Sequence, residues 1–309
     1  MKILHTSDWH LGRQFHNVSL LEDQAHIVKQ IIAQAVEHNV DAVLIAGDIY
    51  DRAIPPTGAI ALLDDTLHTL AEVHNIPVLI ISGNHDSHER LSFARRQLAA
   101  RNIHLFCDIE TAREPVVIHS RDNNQSMAVF GVAYHTPEQV RAAFNESVKT
   151  FDDAHSYIVN SIEPNSNVDF NILMSHCFVT GGDSSDSERP LAIGGADTVS
   201  VSPMEKFDYV ALGHLHGPQK RVLDKIRYSG SPLKYSFSEV SQNKSTTLVE
   251  LNQGAEAQIT QLPLSPLRDV QVLTGELATL IAGASESPYK DDYLAITLTD
   301  KHAILDAMT

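Results

Sequence analysis

Short apolar runs alternate with segments of helical periodicity in the first third of the chain. Residues 42–46 and 78–82 are apolar almost throughout, which is typical of strands buried on both faces. Residues 2–6 form a further strand-like run. Apolar residues at helical spacing predict three helices, one containing Leu21, Ala25, Val28, Ile32 and Ala35, one at 57–74 and one at 91–100. This β-α-β-α-β-α order predicts a largely parallel sheet with helices outside it.

The middle of the chain predicts more strands in a less regular order. They lie at residues 115–119, 127–132, 171–174, 209–212, 226–228, 246–251 and 257–262. Residues 137–162 are predicted to be largely helical. Glycines and acidic residues are frequent in 179–198, so we expect a mobile loop there.

Two prolines, Pro263 and Pro266, mark a linker before a short C-terminal region. This region predicts strands at 268–273 and 292–299, a short helix at 276–282, and a second helix beginning near Lys301. A piece of about 45 residues that stops within a helix buries too little surface to fold alone. We therefore expect a first domain over residues 1–262, followed by a partial, truncated second domain over 267–309.

The composition is that of an ordinary soluble protein of 309 residues, with 43% apolar and 20% charged residues. No apolar run approaches the roughly 18 residues of a membrane span, and the N-terminus lacks a signal-peptide core. Cys107 and Cys177 lie far apart, so we expect a reduced, cytoplasmic protein with no membrane contact. The net charge of −16 argues against a broadly basic nucleic-acid binder. A nucleic-acid enzyme stays possible, because bound metal ions would bring positive charge to its site.

Five short clusters of acidic, histidine and asparagine residues each follow a predicted strand. They are Asp8-Trp9-His10, Gly47-Asp48-Ile49-Tyr50-Asp51, Gly83-Asn84-His85-Asp86, Ser175-His176 and Gly213-His214-Leu215-His216. In an open parallel sheet, ligands gather beyond the carboxyl ends of the strands, so the clusters should meet at one rim. Imidazole, carboxylate and carboxamide groups without thiolates suit Mn²⁺, Fe or Zn²⁺. With His85, Asp51 and Asp86 set aside, seven candidate ligands remain, which is the number that a two-metal phosphoester hydrolase needs.

Local geometry leads to two further expectations for these clusters. Asp8 and His10 are two residues apart, as are His214 and His216, so each pair points to one side if strand geometry persists. The glycines that precede the ligands, Gly47, Gly83 and Gly213, fit sharp turns with unusual backbone angles.

Each piece of the pattern also has a purely structural interpretation. A lone His176 is more often a structural residue than a ligand, and Cys177 beside it is better explained as a small core residue. Trp9 can support the ligand loop or stack on a substrate, and we favour support. Five arginines follow the clusters and either surround the cleft or are solvated helix charges: Arg13, Arg52, Arg90, Arg95 and Arg96. The joint occurrence of the clusters, in order and at strand ends, favours the functional interpretation.

The five clusters resemble the signature motifs of the calcineurin-like metallophosphoesterases. The longer runs His5-Thr6-Ser7-Asp8-Trp9-His10-Leu11-Gly12 and Tyr228-Ser229-Gly230-Ser231-Pro232 resemble the SbcD family of bacterial nuclease subunits within that superfamily. The resemblance extends over residues 1–262, and the part after Leu264 is similar to the start of that family's capping domain. It implies an α/β fold of layered αββα type, with mixed sheets flanked by helices and an α+β cap.

The resemblance also implies a metal site and a reaction. The first metal would be held by Asp8, His10 and His216, the second by Asn84, His176 and His214, and Asp48 would bridge both. The ions would be two divalent metals, preferably Mn²⁺. His85 would face the scissile phosphate as an acid. Some archaeal relatives have a histidine three residues after the bridging aspartate, where this chain has Asp51, so we expect no direct catalytic role for Asp51.

The implied activity is that of a DNA nuclease in repair, recombination and replication. It would act as an exonuclease on duplex ends and an endonuclease on single-stranded or hairpin DNA, as a homodimer in a heterotetramer with an SbcC-type ATPase. The chain has no glycine-rich phosphate loop of its own. The five clusters alone leave two alternatives open: another phosphodiesterase or phosphatase of this fold, and a non-catalytic scaffold.

Overall fold

The computed structural model describes residues 1–188, 197–284 and 287–301. The strands are β1 (Lys2–Thr6), β2 (Gln14–Phe15), β3 (Val18–Ser19), β4 (Ala42–Ala46), β5 (Val78–Ile81), β6 (Ile103–Phe106), β7 (Val116–His119), β8 (Ser126–Val132), β9 (Phe170–His176), β10 (Phe178–Val179), β11 (Thr198–Val199), β12 (Tyr209–Gly213), β13 (Gln219–Arg221), β14 (Leu223–Tyr228), β15 (Ser245–Glu250), β16 (Gln258–Pro263), β17 (Val270–Gly275) and β18 (Tyr293–Leu298). The helices are α1 (Leu21–Glu37), α2 (Thr57–Leu67), α3 (His88–Leu91), α4 (Arg95–Ala99), α5 (Pro137–Phe144), α6 (Phe151–Asn160) and α7 (Leu277–Ala284).

Most strands belong to two six-stranded mixed sheets. The first has the order β16-β15-β1-β4-β5-β6, and the second has the order β13-β14-β12-β9-β8-β7. In the first sheet β1, β4, β5 and β6 are parallel, and in the second sheet β14, β12, β9 and β8 are parallel. The antiparallel strands lie at the ends of each parallel set.

The two sheets pack face to face and helices cover their outer faces. The core between the sheets joins Leu44 and Leu79 of the first sheet to Ile172 and Met174 of the second. A second core packs the first sheet against α1 and α2, and a third packs the second sheet against α5 and α6. The chain thus has the expected layered αββα arrangement of mixed sheets.

The helices lie where the sequence predicted them, but some predicted single helices are divided into two. The helix predicted at 57–74 is α2, continued by a π-helical turn at His68–Val73. The single helix predicted at 91–100 is wrong, because Ala94 adopts a φ of 59° and separates α3 from α4. The segment predicted at 137–162 is two helices, since Thr136 and Thr150 each form a capping box that starts a new helix.

The C-terminal region contains the predicted strand-helix-strand unit. Its strands β17 and β18 pair in parallel, and α7 connects them. Arg268 binds the carboxylate of Asp23 on α1 at 2.7 Å, and Lys234 binds Asp269 at 3.0 Å, so ion pairs tie this unit to the rest of the chain. The domain division at 262–267 stays a prediction. The helix expected to begin near Lys301, and residues 189–196 of the loop expected at 179–198, lie outside the described residues.

Every helix within the described parts of the chain is too short or too polar to cross a lipid bilayer.

The core between the sheets leads to a stability prediction. Ile172 on β9 is fully buried there, whereas Ile60 on α2 is 47% exposed. Ile172→Ala should lower the free energy of unfolding by about 2–5 kcal/mol, because it leaves a cavity between the sheets. The matched variant Ile60→Ala should change it by less than about 0.5 kcal/mol. Urea unfolding followed by circular dichroism measures both. Equal effects would contradict the position of the core.

Candidate metal centre

The five predicted clusters meet at the junction of the two sheets. Strands β1, β4 and β5 of the first sheet and β9 and β12 of the second all end there. A Cβ atom added at Gly213 on β12 would lie 1.8 Å from the carbonyl oxygen of Ala46 on β4, so the two strand ends touch. The rim is therefore built from two sheets, each of which supplies the carboxyl ends of parallel strands.

One group of donor atoms contains Asp8, His10 and His216. Their ligand atoms all lie within 4.8 Å of one another, and the three residues are at most 1% exposed. The Nε2 atoms of His10 and His216 are 3.1 Å apart. Asp8 also accepts the backbone N–H of His214 at 3.0 Å, which connects β1 to β12.

A second group of donor atoms surrounds Asn84. The Oδ1 atom of Asn84 lies 3.0 Å from Nε2 of His176 and 3.3 Å from Nδ1 of His214. His176 donates through its other nitrogen, Nδ1, to the carbonyl oxygen of Ala46 at 2.9 Å. Its Nε2 atom therefore faces the side of the site where Asn84 lies.

Asp48 stands between the two groups. Its Oδ2 atom lies 3.6 Å from Nε2 of His10 and 3.5 Å from Nε2 of His176. Its Oδ1 atom accepts the backbone N–H of His85 at 2.9 Å. One carboxylate oxygen thus faces both donor groups while the other is held by the protein.

The backbone is strained where the ligand candidates lie. Asp8, His10, Asp48 and His214 have φ values of 54°, 44°, 50° and 112°. Such angles cost of order 1–3 kcal/mol each and persist only where the surroundings enforce them, typically at functional sites. Strand geometry therefore does not continue into the clusters. Asp8 and His10 still share one donor group, but His214 and His216 belong to different groups.

The role expected for the glycines is correct only at Gly47. Its φ of 94° is the unusual angle that the sequence predicted. Gly83 and Gly213 do not have a positive φ, so the expectation is wrong for them. Close packing requires a residue without a side chain at these positions, because a Cβ at Gly83 would lie 2.1 Å from Oδ1 of Asp48.

His85 lies beside the two donor groups. Its Nδ1 atom is 2.8 Å from the carbonyl oxygen of Asp51, and its Nε2 atom is 4.0 Å from Oδ2 of Asp48. The side chain of Asp51 pairs with Arg13 at 3.4 Å and lies 3.8 Å from Nδ1 of His10. Asp51, His10 and His85 together form a third set of possible ligands.

Burial and neighbouring charges both shift the pKa values of the site. Burial raises the pKa of Asp8 to about 6 and lowers the pKa of His214 to about 3. Burial also opposes ionisation of Asp48, but the neighbouring charges of His176 and His10 outweigh it and hold the pKa of that carboxyl well below its usual value. Burial lowers the pKa of His10, whose Nδ1 atom has no hydrogen-bond partner.

This donor set fits two divalent cations. Two buried carboxylates, a carboxamide and four imidazoles share a site with little access to water. Oxygen and imidazole ligands without sulfur suit Mn²⁺, Fe²⁺ or Zn²⁺, and the cations would compensate the buried negative charge. The seven residues fall into two groups around Asp48, so they could hold two ions, and the assignment of each ligand and of the bridge stays a prediction.

The neighbouring residues have the structural roles that the sequence favoured. Trp9 is 1% exposed and donates from Nε1 to Thr6 at 2.9 Å, so it supports the ligand loop. Cys177 is a buried core residue, and burial raises the pKa of its thiol to about 12. Among the five arginines, Arg13 reaches the site through Asp51, and Arg52 pairs with the same carboxylate from a largely exposed position.

The sequence did not predict a second layer of polar residues behind His216. Ser187, Glu188, Glu239 and Lys244 hold this histidine from the side opposite the donor group. Glu239 is fully buried, and Lys244 pairs with it at 2.5 Å. Glu239 ends a short 3-10 helix, Phe237–Glu239, and the other three residues lie in loops. None of the four belongs to a recognisable motif, so no sequence signal marks them.

Comparisons with known proteins agree with this geometry. Residues 1–218 match the family model of calcineurin-like phosphoesterases. The SbcD subunit of the nuclease SbcCD from Staphylococcus epidermidis is 34% identical over 310 positions, which cover 100% of this chain and 81% of that protein.

Two solved structures are similar at low identity. TT1561 of Thermus thermophilus covers 84% of this chain and 98% of its own, with 13% identity and a TM-score of 0.45. A dimetal phosphatase from Danio rerio covers 84% of this chain and 95% of its own, with 12% identity and a TM-score of 0.45.

The region matched by the family model includes all five clusters, and the bacterial relative aligns with the whole chain. Two sheets, seven converging donor residues and the matches to the family model and to the bacterial relative lead to the same assignment. The chain belongs to the calcineurin-like phosphoesterase family and, as a metal-dependent phosphodiesterase, to the SbcD nuclease subunits within it.

Proposed function

We propose that the chain is a Mn²⁺-dependent DNA nuclease that hydrolyses phosphodiester bonds with two metal ions. The observation that carries the proposal is the single carboxylate oxygen of Asp48 between two buried donor groups. Asp8, His10 and His216 would hold the first ion. Asn84, His176 and His214 would hold the second, and Asp48 would bridge them. The name of the bacterial relative, a nuclease subunit, supports a nucleic acid as the substrate, and we take it to be DNA.

The bound ions would supply Lewis acidity and lower the pKa of a water molecule, which is the chemistry that phosphodiester hydrolysis needs. The protein itself holds the ligand side chains in fixed positions. Asp48 is fixed through the N–H of His85, and His176 is fixed through the carbonyl of Ala46. Because these partners hold the side chains in place, little reorganisation is needed when charge develops on the phosphate oxygens.

His85 would serve as the general acid. The carbonyl oxygen of Asp51 anchors its Nδ1 atom, so Nε2 is directed toward the donor groups. From there Nε2 can donate a proton to the leaving 3′-oxygen of the DNA strand. In this proposal Asp51 acts through its backbone carbonyl, and the absence of a direct catalytic role for its side chain stays a prediction.

The proposal extends to the partners and to the organisation of the chain. Residues 1–262 would form the nuclease domain, and 267–309 would belong to a DNA-binding cap. A homodimer would associate with an SbcC-type ATPase, because the sequence itself has no ATP-binding loop. The buried, unpaired thiols of Cys107 and Cys177 suit the reducing cytoplasm, where the DNA would be processed.

The bridge can be tested with Asp48→Ala. This variant should abolish cleavage of single-stranded DNA and weaken the binding of both ions, because one oxygen of this carboxylate faces a histidine of each group. Metal analysis after dialysis and a DNA cleavage assay measure the two effects. The control Asp224→Ala removes a carboxylate that is 67% exposed and should leave both unchanged. Two ions bound to Asp48→Ala with wild-type affinity would exclude the bridge.

The role of His85 can be tested with His85→Ala. The variant should keep two bound ions but lose about 10²–10⁴-fold in turnover, which is the usual contribution of a general acid. Metal content and single-turnover DNA cleavage are the measurements. The exposed His119→Ala serves as the control. If His85→Ala loses an ion, His85 is a ligand and not the acid.

The substrate and the partner can be tested together. With Mn²⁺ and no ATP, the chain alone should cut single-stranded DNA slowly. Degradation of duplex ends stimulated by ATP should require an added SbcC-type ATPase, because a net charge of −16 provides no extended basic surface to hold duplex DNA. Activity on bis-p-nitrophenyl phosphate without any DNA cleavage would favour a small-molecule phosphodiesterase. ATP-stimulated duplex degradation by the chain alone would refute the partner requirement.

A further inference from the structure

His216 has a set of polar contacts that distinguishes it from the other proposed histidine ligands. Its Nε2 atom faces His10 and the first donor group, while each of its other polar atoms has a hydrogen-bond partner in the protein. The backbone N–H donates to Glu188 at 2.8 Å. The carbonyl oxygen accepts from Lys244 at 2.9 Å, and Nδ1 lies 2.5 Å from the hydroxyl of Ser187.

We propose that Ser187 and Glu239 are positioning residues that fix the tautomer of His216 and raise its strength as a ligand, through a carboxylate-hydroxyl-imidazole relay. The inference rests on the proposed function, in which His216 binds the first metal ion. It adds two residues, from separate segments of the chain, to the machinery of that site.

The direction of the hydrogen bonds follows from the donors available. The hydroxyl of Ser187 has one hydrogen, which it donates to the carboxylate of Glu239. It must therefore accept a hydrogen from Nδ1 of His216. The neutral imidazole then has no hydrogen on Nε2, and the lone pair of that atom points to the first donor group. Hydrogen bonds of this kind from a histidine ligand toward a carboxylate increase its basicity.

Glu239 forms a buried ion pair behind the relay. Its side chain is fully buried and pairs through Oε2 with the almost fully buried Lys244 at 2.5 Å. Lys244 also donates to Ser231 at 2.8 Å and to Gln242 at 2.7 Å, so its ammonium group has several partners. The pair leaves Oε1 of Glu239 to accept from Ser187, and the bond from Lys244 to the His216 carbonyl fixes the ligand loop.

Among the described residues, no such relay stands behind His176 or His10. His176 donates to the carbonyl of Ala46, which is a neutral acceptor. Nδ1 of His10 has no hydrogen-bond partner, and the nearest carboxylate oxygen recorded for it, on Asp51, is 3.8 Å away. The relay should therefore affect the first ion and leave the second nearly unchanged.

The test is a Mn²⁺ titration of the metal-free full chain, followed by calorimetry and by electron paramagnetic resonance. Ser187→Ala removes the hydroxyl but leaves the Glu239–Lys244 pair intact. It should weaken one of the two sites by about 10–100-fold, the usual effect of losing an outer hydrogen bond to a ligand. At one equivalent of Mn²⁺ it should give the spectrum of an isolated ion. Ser187→Thr, which keeps a hydroxyl, should restore the binding of both Mn²⁺ ions.

Two further variants separate this effect from a general loss of structure. Ser120→Ala removes a buried hydroxyl that donates to Asp122 at 2.6 Å in a distant turn, and it should bind both ions normally. The double variant Glu239→Gln with Lys244→Met removes the relay without leaving an unpaired buried charge, and it should weaken the same site. Thermal unfolding of each metal-free variant checks that the fold is intact.

The outcomes distinguish the two proposals. Wild-type affinity for both ions in Ser187→Ala, or equal loss at both sites, would overturn the relay and leave the proposed nuclease function standing. Failure of Ser187→Thr to improve on Ser187→Ala would also overturn it. A wild-type chain that binds fewer than two ions would overturn the relay and the proposed metal centre together.

Discussion

The structure depends on one electrostatic constraint, the burial of the Asp48 carboxylate together with that of Asp8 at the junction of two sheets. Two carboxylates in a site almost closed to water are unfavourable unless positive charge or hydrogen bonds compensate them. Backbone N–H groups of His85 and His214 satisfy part of their oxygens. The imidazoles around them remain available for cations. The same constraint explains why strained backbone angles persist at four ligand positions: the surrounding packing enforces them where the charge must be placed.

The fold brings these groups together by pairing two sheets rather than by extending one. Each sheet has a set of parallel strands, and the carboxyl ends of both sets point to one junction. The core between the sheets fixes how far β4 and β12 can separate, and Gly213 allows the contact at their ends. A ligand from β4 and a ligand from β12 can therefore approach the same point. Helices on the outer faces complete the layers but contribute little to the site itself.

Much of this could be predicted from the sequence because the signals are local. Continuous apolar runs predicted β4 and β5, and ligand-type residues directly after strands identified the seven donors that the structure brings together. The interruption at Ala94 could not be predicted, since an alanine with positive φ has no sequence signature. The relay behind His216 could not be predicted either. Glu239 and Ser187 are 52 residues apart, and only the tertiary fold makes them neighbours.

In the proposed assignment, the two metal positions would be chemically unequal although they would share Asp48. The first group contains the carboxylate of Asp8 and a histidine whose Nδ1 hydrogen is directed, through Ser187, toward an anion. The second contains a neutral carboxamide, Asn84, and a histidine that donates to a neutral carbonyl. In the proposed assignment, the ligands of the first ion would carry more negative charge than those of the second, which would favour tighter binding of the first cation.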